Sequence, residues 1–253
     1  MLPTMPSFRV DGQRALVTGA SRGIGFAAAT ALALAGAAVT LVARSEADLR
    51  KACDRIREAG GVCDHLVLDV TDARVVGEQI AKRGPFQILV NNAGMNRPKE
   101  LVQLDDEDID AVLNLNVKAA FHVTRVVTRG LLSAGLPGSI INVSSQMGHV
   151  GSPRRTLYCA SKHAIEGMSK ALAWELGPAG IRVNTVCPTF IETELTADMF
   201  KDEAFRAWAI GKIALGRLGR TDEIMGAIVF LASDAASLVT GSALMLDGGW
   251  TAA

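Results

Sequence analysis

The chain has 253 residues, 49% of them apolar, and its 26 basic and 26 acidic side chains leave a formal net charge of zero. That length suits one large α/β domain or two small ones. The charge balance, without any Lys/Arg run, argues against a nucleic-acid or membrane-surface role, and no apolar run reaches membrane-spanning length.

The first ten residues contain no apolar h-region, so no signal peptide is expected, and residues 1–13 read as a loose arm. A short apolar strand over 14–18 runs into Gly19-Ala20-Ser21-Arg22-Gly23-Ile24-Gly25, followed by a helical pattern from Phe26 to Ala35. Strand, glycine-rich turn and helix is the context in which glycines let a backbone approach a pyrophosphate and a helix N-terminus faces it. A glycine turn packed tightly for steric reasons alone stays open here. A strand over 38–43 ends at Arg44-Ser45, where an acid would favour a ribose 2′-hydroxyl and an arginine a 2′-phosphate. Arg44, with Arg22 on the other side, favours NADP(H), with NAD(H) a lesser option; the alternative is a solvated strand-end arginine.

Residues 46–59 carry the stripe Leu49, Ala52, Cys53 and Ile56, predicting an amphipathic helix stopped by Gly60-Gly61. A third strand over 63–68 leads to Asp69-Val70, and Thr71 is placed to cap the next helix. A fourth strand over 86–90 ends in Asn91-Asn92-Ala93-Gly94. A long helix is predicted from Asp105 through Asn116 to Ser133, with Val117, Ala120, Phe121, Thr124, Val127 and Leu131 on one apolar face and part of another face on Ala119, Val123 and Val126, which suits a partner subunit. A fifth strand over 138–143 ends at Ser144-Ser145, and a sixth over 181–186 ends at Cys187-Pro188. Residues 189–215, with Phe190, Met199, Phe200 and Trp208, read either as a substrate-side flap or as two short surface helices. Ile224, Ala227, Ile228 and Leu231 mark a further helix, and 243–246 a last strand. Alternating strands and helices argue for a parallel sheet covered on both faces, within a single domain over 1–253. Neither the four cysteines (53, 63, 159 and 187) nor the four histidines (65, 122, 149 and 163) show metal-ligand spacing, so reduced thiols, a cytoplasmic setting and no metal are expected.

Tyr158, the sole tyrosine, stands four residues before Lys162, so the two share a helix face. A phenol beside a sheltered cation loses its proton more readily than a free one, which would make Tyr158 a proton donor and acceptor. Taken alone, such a pair is more often a buried tyrosine beside a snorkelling lysine.

Together, Thr18-Gly19-x-x-x-Gly23-x-Gly25, Asn91-Asn92-Ala93-Gly94, Asn116, Ser145 and Tyr158-x-x-x-Lys162, in this order and over residues 8–250, make the chain resemble the short-chain dehydrogenases/reductases. The resemblance implies a Rossmann-type, doubly wound, seven-stranded parallel sheet of order 3-2-1-4-5-6-7 in a three-layer sandwich, and a homotetramer or homodimer. It implies Ser145, thirteen residues before Tyr158, rather than Ser144 as the catalytic serine. It places the tetrad's asparagine on Asn116, holding a water behind the lysine. It puts Asp69 and Val70 at the adenine, Asn92, Ala93 and Gly94 along the ribose, and Pro188, Ile191 and Thr193 at the nicotinamide. Thr189 replaces the glycine usual after Pro188. In that frame Tyr158 gives a proton to a carbonyl oxygen, Ser145 holds that oxygen, and Lys162 binds the ribose and tunes the phenol. Met147, His149, Arg154, Arg155 and Thr189 are candidates for the substrate wall, and either arginine could hold a carboxylate or phosphate. The implied reaction is reduction of a ketone or β-ketoacyl group; oxidation of a sugar, polyol, sugar acid or steroid alcohol, and a non-catalytic cofactor-binding sensor or scaffold, are the alternatives.

Overall fold

The computed structural model describes residues 2–252. In chain order the elements are β1 (Arg14–Thr18), α1 (Gly23–Leu34), β2 (Ala38–Ala43), α2 (Glu46–Glu58), β3 (Val62–Val67), α3 (Ala73–Ala81), β4 (Ile88–Asn91), α4 (Asp106–Leu113), α5 (Ala119–Ala134), β5 (Gly138–Val143), α6 (Thr156–Leu176), β6 (Ile181–Pro188), β7 (Ile191–Glu192), α7 (Glu194–Ala197), α8 (Glu203–Gly211), β8 (Gly219–Arg220), α9 (Asp222–Ala232) and β9 (Ala243–Leu246). Seven strands form one parallel sheet in the order β3-β2-β1-β4-β5-β6-β9. The order reverses between β1 and β4, whose carboxyl ends therefore frame a crevice. The two-residue strands β7 and β8 make a separate parallel pair that the sequence pattern does not announce.

Alternation along the strands fills a core on each face. Ala15, Val17, Val39, Leu41, Ile88, Val90 and Ile141 pack with residues of α1, α2 and α9, such as Leu32, Leu49 and Ile228. Leu16, Val42, Leu89 and Ile140 point the other way, to Val76 and Ile80 of α3 and Val123, Val127 and Leu131 of α5. The expected stripe of α2 is buried in full. That helix carries Glu46 and Asp48 in its first turn and Arg55 and Arg57 in its last, the arrangement its dipole favours.

The expected cap of α3 and the expected long helix need correction. The cap of α3 is Asp72, whose carboxylate accepts from the Arg74 and Val75 amides at 3.0 Å, while Thr71 bonds to Asp69 instead. The long helix is two helices joined by a π turn over Asn114–Lys118. Phe121, assigned to its inner face, is 49% exposed; the buried line of α5 runs through Ala119, Ala120, Val123, Thr124, Val127 and Leu131. Residues 189–215 hold two short helices, α7 and α8, and Phe190, Phe205 and Trp208 join Trp250 in a chain of ring contacts 5.6–5.7 Å between centroids.

Candidate active site

The glycine turn is built so tightly that side chains do not fit. Gly19 and Gly23 have φ of +63° and +58°, and a Cβ on Gly25 would lie 2.3 Å from the Gly19 carbonyl oxygen and 2.4 Å from Asn92 Nδ2. Asn92 staples the turn to β4: its side-chain amide donates to the carbonyls of Thr18 and Gly19, both at 3.0 Å. The Thr18 hydroxyl in turn accepts from the amides of Asn92 and Ala93 at 3.0 and 3.1 Å. No side chain caps α1, so its first-turn N–H groups stay available to an anion. Arg44 follows β2, and its charge reaches Asp69. Burial alone would raise the Asp69 carboxyl; hydrogen bonds from the Thr71 amide and hydroxyl, with Arg44, hold it below the usual range. Arg22 is drawn towards α7, 3.8 Å from Glu194. Glycine cradle, free helix N-terminus and Arg44 in place of an acid together fit a dinucleotide with a 2′-phosphate.

Past the crevice the four expected polar residues converge from β5, α6 and the π turn. Ser145 accepts from the Met147 amide at 3.1 Å and donates to Gln146 at 2.6 Å, and its polar side chain draws the pKa of the Tyr158 phenol down. Burial outweighs that effect and pushes Tyr158 up to about 12. The expected fall does not occur, because Lys162 lies over the tyrosine ring, 5.5 Å from its centroid, and its ammonium donates to the Val143 carbonyl at 2.8 Å. Burial pushes Lys162 down to about 8, against the opposing charges of Cys187 and Glu166. Asn116 Nδ2 donates to Met95 O and Ser161 Oγ at 2.9 and 3.0 Å, and its Oδ1 accepts from the Met95 amide at 2.8 Å. Asn116 and Lys162 both line a cavity of about 10 Å³, the size of one water. Asn91 lines it too, and its Oδ1 is buried with no hydrogen-bond partner.

On the nicotinamide side, Thr193 caps α7, Ile191 is buried, and Pro188 closes β6. Thr189 keeps a strand-like bond to the Leu246 carbonyl at 3.2 Å, and its hydroxyl is buried without a partner. Of the five candidates for the substrate wall, Arg154 and Arg155 line a cleft of about 580 Å³ together with Phe190, Met199, Phe205 and Trp208. Met147, His149 and Thr189 do not line it. His149 meets Glu166 and Cys187 instead, with pairwise distances of 3.3–3.4 Å. These three side chains come from a loop, a helix and a strand, so no spacing in the chain could show their meeting. They read as donors gathered around a buried carboxylate, which also accepts from Thr185 at 3.0 Å.

A parallel sheet of this order with a glycine turn and a Ser–Tyr–Lys–Asn site defines a nicotinamide-dependent oxidoreductase. Residues 19–251 match the family model described as Enoyl-(Acyl carrier protein) reductase, and the chain belongs to the short-chain dehydrogenase/reductase family. It is 40% identical to D-erythrulose reductase of Gallus gallus over 245 residues, 97% of this chain and 98% of that one. It is 42% identical to the 3-oxoacyl-[acyl-carrier-protein] reductase FabG of Thermotoga maritima, covering 95% and 98%. The structure of a gluconate 5-dehydrogenase from Burkholderia cenocepacia in complex with NADP and tartrate superposes with a TM-score of 0.92 at 37% identity, covering 98% and 99%. Among the described residues no helix is long and apolar enough to cross a membrane.

Proposed function

We propose that this chain moves a hydride between NADP(H) and a carbonyl or secondary alcohol of a small molecule, reducing a ketone as its working direction. The observation that carries this reading is Tyr158 held against Ser145, beside Lys162 and opposite the glycine cradle. Gly19, Ser21, Gly23, Ile24 and Gly25 would hold the pyrophosphate; Arg44, Ser45 and Arg22 the 2′-phosphate; Asp69 and Val70 the adenine; Ile191 and Thr193 the carboxamide. When bound, the cofactor supplies or takes the hydride. Tyr158 gives its proton to the carbonyl oxygen while Ser145 hydrogen-bonds the same atom. A phenol pushed up to about 12 holds its proton at neutral pH, ready to be given to the carbonyl oxygen. Lys162 would leave Val143 to hold the ribose hydroxyls, and a water in the small cavity that it lines with Asn116 would link it towards solvent. Oxidation of a sugar or sugar acid is the second reading, favoured by a relative named gluconate 5-dehydrogenase, 38% identical. Exposed Phe121 on α5 and Trp174 on α6 support assembly into a homodimer or homotetramer.

Tyr158→Phe tests the assignment. Turnover of a ketone panel, followed by nicotinamide absorbance, is expected to fall at least about a thousandfold while NADPH still binds, since this step loses its proton donor. Retention of more than a few per cent of wild-type turnover refutes the role.

A further inference from the structure

Arg155 is 92% buried, its 8% exposure matching that of core side chains. A guanidinium carries five N–H donors and keeps its charge in a protein. Here its one side-chain contact is a weak one, from Nη2 to Met199 Sδ at 3.8 Å, and among the described residues no carboxylate pairs with it. Burial and the neighbouring charge of Arg154 push its pKa down, and the opposing pull of Tyr158 and Cys159 does not make up for them. An unpaired buried charge costs several kcal/mol, and such groups persist where something else completes them.

The two acids on the opposite wall do not do so. Asp198 pairs with Lys201 at 2.6 Å, and Asp202 caps α8 by accepting from the Phe205 amide at 3.1 Å. Arg154, just before Arg155, has φ of +61°, the one positive value for a non-glycine side chain among the described residues. An arginine rarely adopts that conformation, which marks a turn held in place by its surroundings. Apart from Ser152, the remaining cleft wall is apolar, with Phe190, Phe205 and Trp208 as its aromatic part. Arg155 stands one helical turn before Tyr158, and its charge is felt at the phenol.

We infer that the cleft takes a small polyhydroxylated carboxylate, an aldonic or ketoaldonic acid, with its carboxylate on Arg155 and its carbon chain along the aromatic wall towards Tyr158. The guanidinium forks onto the two carboxylate oxygens, and the rings cover the C–H faces of the chain. A neutral sugar of the same length leaves the arginine unpaired and binds more weakly. Arg154, exposed to solvent, adds long-range attraction but does not fix the ligand.

This inference rests on the reading of Tyr158 above, and the test separates the two. Binding is measured in the Tyr158→Phe protein with NADP present, through the fluorescence of Trp208 in the cleft wall, using D-gluconate, D-glucitol and D-glucitol 6-phosphate as probes. Gluconate is expected to bind at least about tenfold more tightly than glucitol, a difference of about 1.4 kcal/mol. Introducing Arg155→Gln into the same protein removes that preference, and Arg155→Lys restores part of it. Equal binding of gluconate and glucitol, or a preference that survives Arg155→Gln, overturns the inference. Tighter binding of the phosphate ester than of gluconate overturns the choice of carboxylate. Should Arg155→Gln fail to fold, Arg155→Lys carries the test, because a point charge in place of the planar fork must weaken gluconate and leave glucitol unchanged. Turnover retained by Tyr158→Phe would defeat the catalytic reading without touching these binding results.

Discussion

Lys162 offers a test in which catalysis and stability pull apart. Its side chain is 6% exposed, and burial lowers its pKa from 10.5 to about 8. A fall of about 2.5 units corresponds to about 3 kcal/mol by which the folded state disfavours the charged lysine at neutral pH. Replacing it with Met keeps an unbranched chain of similar length and removes that cost. The exchange also leaves the Val143 carbonyl without the ammonium's hydrogen bond, which takes back about 1.5–3 kcal/mol. A net gain of about 1 kcal/mol at pH 7 is therefore expected, or about 2–4 °C in Tm for a chain of this length, together with loss of activity. The pH dependence is the sharper measure. Between the folded pKa near 8 and the unfolded value near 10.5, the wild-type unfolded chain binds more protons than the folded one, so wild-type stability rises with pH across that window. Lys162→Met lacks this slope, and its advantage at pH 7 shrinks and reverses by about pH 10. Unfolding free energies from denaturant titrations at pH 7 to 10 measure it; parallel wild-type and Lys162→Met curves would refute the buried, depressed lysine.

Gly25→Ala places a methyl 2.3 Å from the Gly19 carbonyl and against Asn92, so the turn must open. A loss of about 1–3 kcal/mol in stability and at least about tenfold weaker NADP(H) binding are expected, measured by thermal unfolding and fluorescence titration; unchanged affinity would mean that the turn does not cradle the cofactor. Arg44→Asp is expected to reverse a preference for NADPH over NADH, read as the ratio of kcat/KM values, whereas equal wild-type kinetics with both cofactors would remove Arg44 from that role.

Much of the architecture is legible in the chain because its signals are local. The strands at 14–18, 38–43 and 138–143 are bounded by apolar runs and turn residues, and their limits agree with the structure. The four residues proposed for catalysis stand out in the chain because five weak motifs follow one another in one order. The π turn is harder to see, since Asn114 to Lys118 contains no glycine or proline. A signal is nevertheless present: Asp108, Val112, Asn116, Ala120 and Thr124 are all buried at strict four-residue spacing. On a regular helix such a line drifts by roughly 40° per step, so one face cannot stay buried unless a wider turn takes up the drift. The state of the tyrosine–lysine pair was not legible, because four-residue spacing reveals a shared face but not how much water the fold removes from it. The Arg154–Arg155 pair is similar: adjacent letters give no hint that one arginine is exposed and its neighbour sealed among aromatic rings.

The π turn also constrains how this protein can change length. An α-helix of the same span would need one residue fewer, and deleting any one of the five would let α4 and α5 run through as a single regular helix. Each residue advances a helix by about 100°, so such a deletion would swing Asn116 away from Met95 and Ser161. The exposed stretch over residues 100–103, by contrast, can gain or lose a residue without turning any helix about its axis. In an alignment of relatives, a one-residue gap in that stretch is a neutral edit, whereas the same gap between Asn114 and Lys118 removes the fourth member of the site while leaving every letter of the other three intact.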